Sequence, residues 1–333
     1  MPATLPAEAK ARRRPHNTLI MLPCRAADVL TLARDRRWLT GAAIRPVMPG
    51  TPLLDRLLAE LGESPLDAGR AALRLWGQTG TMPDGWVAGA DPVWMQAGLE
   101  QVFLHIPPAD DIDTAALQSM FSDLQNALLA DRDLRLEARD DCGYLLGTDP
   151  LPVATLPASA IDRNQPAKFT PDFNSPESAE YYSLCSEIEM SMYAHPYNQQ
   201  REERGQRPLN ALWLWGGGQV TGREERMLPI LYADDAMLHG FSAYSKTECR
   251  EWPGSITACV DRTPGRFIAV PPPLASEALD ETLIELRSLW RADRLPSLTL
   301  LFDDIAIDLQ KSWRRFFRIG TAAQLRNLFE KQN

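Results

Sequence analysis

Apolar positions along this chain recur with two periods, one suited to strands and one to helices, and the two alternate. Thr18-Leu-Ile-Met-Leu22 is a short continuous apolar run of strand length, and Val29, Leu32, Ala33 and Leu39 then fall at helical spacing within Arg25–Leu39. The chain therefore opens as strand then helix. Leu54, Leu57, Leu58 and Leu61 make a narrow stripe on a helix over 51–61, a second helix is predicted over 66–76, and the Gly- and Pro-bearing stretch 77–89 reads as a loop. Val102–Ile106 is a strand stopped by Pro107 and Pro108. Leu117, Met120, Phe121, Leu124 and Leu128 mark a helix over 113–129, and Leu134–Ala138 with Cys142–Leu146 reads as a hairpin. Towards the C-terminus, strands are predicted over Met227–Tyr232, Ser255–Val260 and Arg266–Val270, then a helix over Leu279–Trp290. Ser297–Phe302 and Ile305–Leu309 flank a tight turn at Asp303-Asp304. Trp313, Phe316 and Phe317 are expected to cover a core, and Ala322–Phe329 to close the chain as a helix.

The middle of the chain is the most informative part. Ser175 caps a predicted helix that starts at Pro176, whose buried face is Tyr181, Leu184, Cys185, Ile188 and Met192. Pro196 cannot donate a backbone N–H and clashes with the carbonyl four residues back, so this helix should stop or kink near His195 and a short one begin at Pro196. On the second helix Asn198, Arg201, Glu202 and Gly205 share one face. Leu209–Trp215 is then a buried strand, closed by a turn at Gly216, Gly217 and Gly218. Prolines at 150, 152, 157, 166, 171 and 176 mark a long irregular connection. The expected organisation is a flexible basic tail over 1–16, an N-terminal α/β part over 17–150, the Pro-rich connection over 151–177, and a C-terminal α/β part over 178–333. The two parts share one sheet or pack closely. The fold class is α/β, a mixed sheet flanked by helices.

From His195 to Gly218 the chain reads His-Pro-x-Asn-x-x-Arg-x-x-x-Gly-x-x-Pro-x-Asn-x-x-Trp-x-Trp-Gly-x-Gly. This spelling resembles the signature of the RpfE-type bacterial regulatory proteins. It is also similar to a motif of archaeal-type cofactor-independent phosphoglycerate mutases. Gly89-Ala-Asp-Pro-Val-Trp-Met-Gln-Ala97 resembles the family segment Ala-Asp-Pro-Val-His-Leu-Arg-Ala, with Trp94 in place of the His and Gln96 in place of the Arg. The resemblance implies a distantly alkaline-phosphatase-like or phosphoglycerate-mutase-like fold and a regulatory or accessory role. In the mutases it also implies a nucleophilic Ser or Thr and two metal ions held by Asp and His. This chain departs from that chemistry: it has four histidines, His16, His105, His195 and His239, and Leu22-Pro-Cys24 stands where an Asp-Gly would follow the first strand. No cofactor is expected. A divalent metal enters only if the chain is instead a phosphomutase or phosphohydrolase, with ligands among Asp234, Asp235, His239, Asp303 and Asp304.

The candidate site is an anion pocket for a phosphorylated or carboxylated small molecule. Arg201 would supply a fork of donors, Asn198 and Asn210 would orient the ligand, and the N–H groups of Gly216, Gly217 and Gly218 would form a nest, with His195 and Trp215 beside them. The same residues also admit a structural reading, in which the two amides satisfy buried backbone, Arg201 pairs with a carboxylate, His195 caps the second helix and Trp215 is core. Composition bounds the partners. With 44 acidic and 35 basic residues the net charge of −9 argues against a general nucleic-acid surface. No run is long enough to span a membrane. Five widely spaced cysteines form neither a disulfide framework nor a zinc knuckle, which fits a reducing, cytoplasmic setting. A protein partner or a homo-oligomer remains open, with the Trp-rich strand and the helix at 178–194 as its surface.

Overall fold

The computed structural model describes residues 17–30, 38–48, 50–64, 66, 69–97, 102–161, 176–273 and 276–311. The expectations for the basic tail, for Ser175, for 162–175 of the proline-rich connection, and for Trp313, Phe316, Phe317 and the closing helix lie outside these residues. In chain order the elements are β1 (Thr18–Met21), α1 (Ala26–Val29), β2 (Ala43–Pro46), α2 (Leu53–Leu61), α3 (Arg70–Thr79), β3 (Trp86–Ala97), β4 (Val102–His105), α4 (Thr114–Leu128), β5 (Leu134–Arg139), β6 (Cys142–Gly147), α5 (Pro176–Tyr193), α6 (Pro196–Glu203) and β7 (Ala211–Gly218). There follow β8 (Ile230–Ala233), α7 (Ala236–Ser245), β9 (Cys249–Arg250), α8 (Ile256–Arg262), β10 (Phe267–Val270), α9 (Ser276–Arg291), β11 (Ser297–Leu301) and β12 (Ile305–Gln310). The fold is mixed α/β, with helices flanking the sheets.

The chain forms two compact units. One comprises Met1–Leu66, Pro229–Ala233 and Arg250–Asn333, the other Asp67–Leu228 and Asp234–Cys249. The division therefore does not fall at the proline-rich stretch, because strands from the two ends of the chain pair with each other. In the first unit the sheet order is β2-β12-β11-β1-β10-β8-β9. β11, β1, β10 and β8 run parallel, while β12 pairs antiparallel with β11 and β2 antiparallel with β12. Buried parallel strands read as continuous apolar runs, which is why β1, β10 and β11 were legible. Their core gathers Ile20, Leu22, Phe267, Leu286, Leu298, Leu300 and Ile307.

In the second unit β3 is the organising strand. It pairs antiparallel with β7 along one side, and along the other with β6 over Trp86–Gly89 and with β4 over Trp94–Ala97. Pro92 lies between those two ladders, where that side of the strand has no ladder bond for its missing N–H to make. β5 and β6 form the expected hairpin. Leu117, Phe121 and Leu124 of α4 and Leu184, Ile188 and Met192 of α5 bury against this sheet in one core.

Three local expectations are corrected. The stretch 77–89 is not simply a loop: α3 continues to Thr79 and β3 begins at Trp86. Ser255–Val260 is helix rather than strand, since the Ser255 side chain accepts from the Ala258 N–H and Ile256 and Cys259 bury at a spacing of three. The glycines 216–218 do not turn the chain but complete β7, with Gly218 paired to Val87. β2 had no sequence signal, because its four residues are half-buried or exposed.

Candidate functional site

α5 ends at Tyr193 and α6 begins at Pro196, with His195 as the cap between them: its Nδ1 accepts from the Tyr197 N–H at 3.1 Å. Nε2 faces Asp123 of α4 at 3.1 Å. A ring whose Nδ1 accepts carries its proton on Nε2, so the contact to Asp123 is a donated hydrogen bond.

Asn198 is 1% exposed, and its amide is fully engaged by backbone. Nδ2 donates to the Met192 carbonyl at 2.7 Å and to the Leu209 carbonyl at 2.8 Å, while Oδ1 accepts from the Leu209 N–H at 2.8 Å. One side chain thus fastens the end of α5 to the chain entering β7. Asn210 does the same for β3: Oδ1 accepts from the Met95 N–H at 2.7 Å and Nδ2 donates to the Met95 carbonyl at 2.9 Å. It extends the β7 ladder by one side-chain rung.

Arg201 is equally buried, yet it does not meet a carboxylate. Its Nε donates to the Arg207 carbonyl at 2.9 Å and Nη1 to the Asp111 carbonyl at 2.6 Å, with the Tyr197 hydroxyl at 3.4 Å. Tyr197 in turn accepts from the Asp113 N–H at 2.9 Å, so α6 holds the segment that leads into α4. No acidic side chain is paired with Arg201 among the described residues. At Gly216 the backbone takes φ +62° and its N–H donates to the Ala154 carbonyl at 2.7 Å. A Cβ on Gly217 would sit 2.6 Å from the Trp86 ring. Asn198, Arg201 and Asn210 thus lie about the entry to β7 while Gly216–Gly218 form its far end, and Asn198, Asn210 and the Gly216 N–H are committed to backbone partners.

A polar network that the motif alone does not reveal lies beside Trp215. Asp91 of β3 accepts from Trp215 Nε1 at 2.7 Å and from Arg74 Nη2 of α3 at 2.8 Å. Arg74 Nε donates to the Tyr144 hydroxyl at 2.8 Å, and that hydroxyl donates to Gln78 Oε1 at 2.6 Å. Burial works against the Arg74 charge, but Asp91 outweighs it and holds the guanidinium above its usual range. Burial also pushes the Tyr144 phenol up. The sequence signal was a carboxylate in the middle of a mostly apolar strand and a guanidinium between the apolar residues Leu73 and Leu75 of α3.

In the first unit the carboxyl ends of β1 and β11 lie side by side, the place where open α/β sheets bind ligands. Here the Asp303 N–H donates to the Cys24 carbonyl at 2.9 Å, the Asp303 carboxylate pairs with Arg56, and Asp304 accepts from the Ala26 N–H at 2.9 Å, at the start of α1. Burial, then Asp303, Asp28 and Asp304, push the Cys24 thiol up to about 12, with Arg56 opposing. In the second unit Asp235 caps α7 by accepting from the Leu238 N–H at 3.0 Å. His239 stands half-buried on that helix and Asp234 is exposed. Among the described residues no three His, Cys, Asp or Glu side chains are grouped so as to hold a metal ion. No described helix is long and apolar enough to cross a membrane, and all five cysteines are unbridged.

No family model matches the sequence, and no curated protein sequence matches it. Among solved structures the chain is similar to the PH0037 protein from Pyrococcus horikoshii, with a TM-score of 0.50 and 10% identity over 90% of this chain and 89% of that one. A cofactor-independent phosphoglycerate mutase from Thermoplasma acidophilum is also similar, with a TM-score of 0.41 and 15% identity over 89% of this chain and 90% of that one. At 10% identity the likeness to PH0037 is one of fold.

Proposed function

We propose that the chain is a cytoplasmic regulatory or accessory protein that binds an anionic small molecule and performs no phosphotransfer. The observation that carries this reading is the state of the strand ends, where a two-metal enzyme needs converging ligands. Asp303 is paired with Arg56, Asp304 is committed to the start of α1, and Cys24 offers a thiol held in its protonated form. The anionic character of the ligand is supported by Arg201, a buried cation whose described partners are neutral carbonyls and a hydroxyl. The resemblance of 195–218 to RpfE-type proteins supports the regulatory role.

The test is calorimetric titration with 3-phosphoglycerate and with inorganic phosphate, beside a turnover assay of phosphoglycerate and p-nitrophenyl phosphate in Mn²⁺, Mg²⁺ or Zn²⁺. The expected result is saturable anion binding that weakens with salt, is lost in Arg201→Gln, and is accompanied by no turnover. Metal-dependent turnover would overturn the non-catalytic reading, and the absence of binding by either anion would overturn the pocket.

A further inference from the structure

α5 carries two distinct stripes. Its inner stripe, Tyr181, Leu184, Ile188 and Met192, is buried. On the opposite side Ala179, Tyr182, Ser186, Met190 and Tyr193 recur at i, i+3, i+7, i+11 and i+14 and include no charged residue. Helical geometry places these five within one face. Met190 is 67% exposed and Tyr193 82% exposed, and Ala179 and Ser186 also face solvent. A helix on the surface of a soluble protein ordinarily presents charge on the side away from its core. This one presents a thioether and a phenol, one turn apart.

Charge is arranged around that face rather than on it, and it has one sign. Between Pro176 and Ala194 the sequence has four glutamates and no lysine or arginine. Glu187 is taken by Arg132 at 2.9 Å and by the Ser183 hydroxyl at 2.8 Å. Glu189, next to Met190, has no cation paired with it among the described residues. Partial desolvation raises its carboxyl above the ordinary range. A partly desolvated carboxylate at the border of an uncharged, exposed stripe gains from a cation delivered by a partner, and an acidic helix gains nothing from an acidic one.

We infer that the outer face of α5 is a docking surface for a basic amphipathic helix of another protein, seating apolar side chains on Met190 and Tyr193 and a lysine or arginine on Glu189. This goes beyond the anion pocket and does not depend on it. Eighteen residues at about 1.5 Å each give a face about 27 Å long, and one helix width of about 10 Å makes it a small interface of the transient class. The expected Kd is about 10–100 μM.

The probe is a fluorescein-labelled synthetic helix with leucines at heptad spacing flanked by lysine and arginine, followed by anisotropy on the full chain. A twin peptide carries glutamate at every basic position. The basic peptide should bind, the acidic twin should not, and Met190→Ser with Tyr193→Ser should weaken binding about tenfold or more. Ile284→Ser, which removes an apolar residue 49% exposed on α9, should leave it unchanged. Glu189→Lys should exchange the preference towards the acidic twin. Equal binding of both peptides, indifference to the Met190 and Tyr193 substitutions, or no saturation up to about 1 mM would overturn the proposal. Self-association of the wild type that the same two substitutions abolish would overturn it too, by assigning the face to a second copy.

Discussion

Asn198→Ala separates the two roles that the central motif can play. The wild-type side chain makes three hydrogen bonds, of 2.7, 2.8 and 2.8 Å, all to backbone and all buried. Truncation leaves the Leu209 carbonyl and N–H without the Asn198 side chain and the Met192 carbonyl with the His195 N–H at 3.1 Å, in a site that is 1% exposed. Each buried group left unsatisfied costs about 1–3 kcal/mol, and relaxation or water entry recovers part of the sum, so a net loss of about 3 kcal/mol is expected. That is a large fraction of a stability of about 5–15 kcal/mol. Asn198→Asp is the sharper variant. It keeps the shape but points a carboxylate oxygen at the Met192 and Leu209 carbonyls, and should cost at least as much. The assay is equilibrium urea unfolding followed by tryptophan fluorescence, read as a lower midpoint at unchanged slope. Midpoints within about 0.5 kcal/mol of wild type, together with lost phosphate binding, would refute the reasoning and show that Asn198 serves a ligand.

Gly240→Ala on α7 should destabilise by about 2 kcal/mol or more despite the helix propensity that alanine adds, because its Cβ would lie 1.8 Å from the Leu73 carbonyl oxygen of α3, and backbone cannot rotate away; an unchanged thermal midpoint would contradict it. Asp308→Ala should cost about 1–3 kcal/mol, since Asp308 accepts from Arg45 at 2.8 Å and from Thr299 at 2.8 Å and leaves Arg45 with Glu60 alone; denaturant unfolding measures it. Burial, then Glu285, push the Cys259 thiol up to about 12. Its folded value is above its unfolded one, so the thiol's contribution is complete below about pH 8.5 and declines as pH rises towards 12. Cys259→Ala should therefore have lower stability at neutral pH but a shallower alkaline decline, and an equally steep decline in both proteins would refute this.

How much of this was legible depended on whether a residue's neighbours were local. The break at Pro196, the β5–β6 hairpin and the turn at Asp303-Asp304 were all visible, since their causes lie within a few residues. β3 was hidden because glycine and proline inside it read as punctuation. Only its neighbours explain them: a Cβ at Gly89 would collide with the Trp215 indole, and Pro92 sits between two ladders. Ser255–Val260 misled because its β-branched residues suit a strand, while the serine hydroxyl at its head makes a helix cap. The candidate site was not legible as a set of contacts. Spacing placed Asn198 and Arg201 on one face, but only the fold supplies the carbonyls of Leu209, Arg207 and Asp111 that receive them.

The two segments that carry the family resemblance turn out to be neighbours. Gly89–Ala97 lies in β3 and 208–218 enters and forms β7, with Asp91 opposite Trp213 and Gly89 opposite Trp215. Asp91 is bonded to Trp215, Asn210 to Met95, and Asn198 to Leu209 at the entry to β7. Through these contacts the two segments hold β3, β7 and the helices before β7 together. At the strand ends of the first unit Cys24, Asp303 and Asp304 are engaged with one another's backbone, with Arg56 and with the start of α1. The contacts of 195–218 described above belong to the scaffold, and function has to be argued from sites on it. For this chain the sites proposed are the cation at Arg201 and the uncharged outer face of α5, the helix that Asn198 fastens in place.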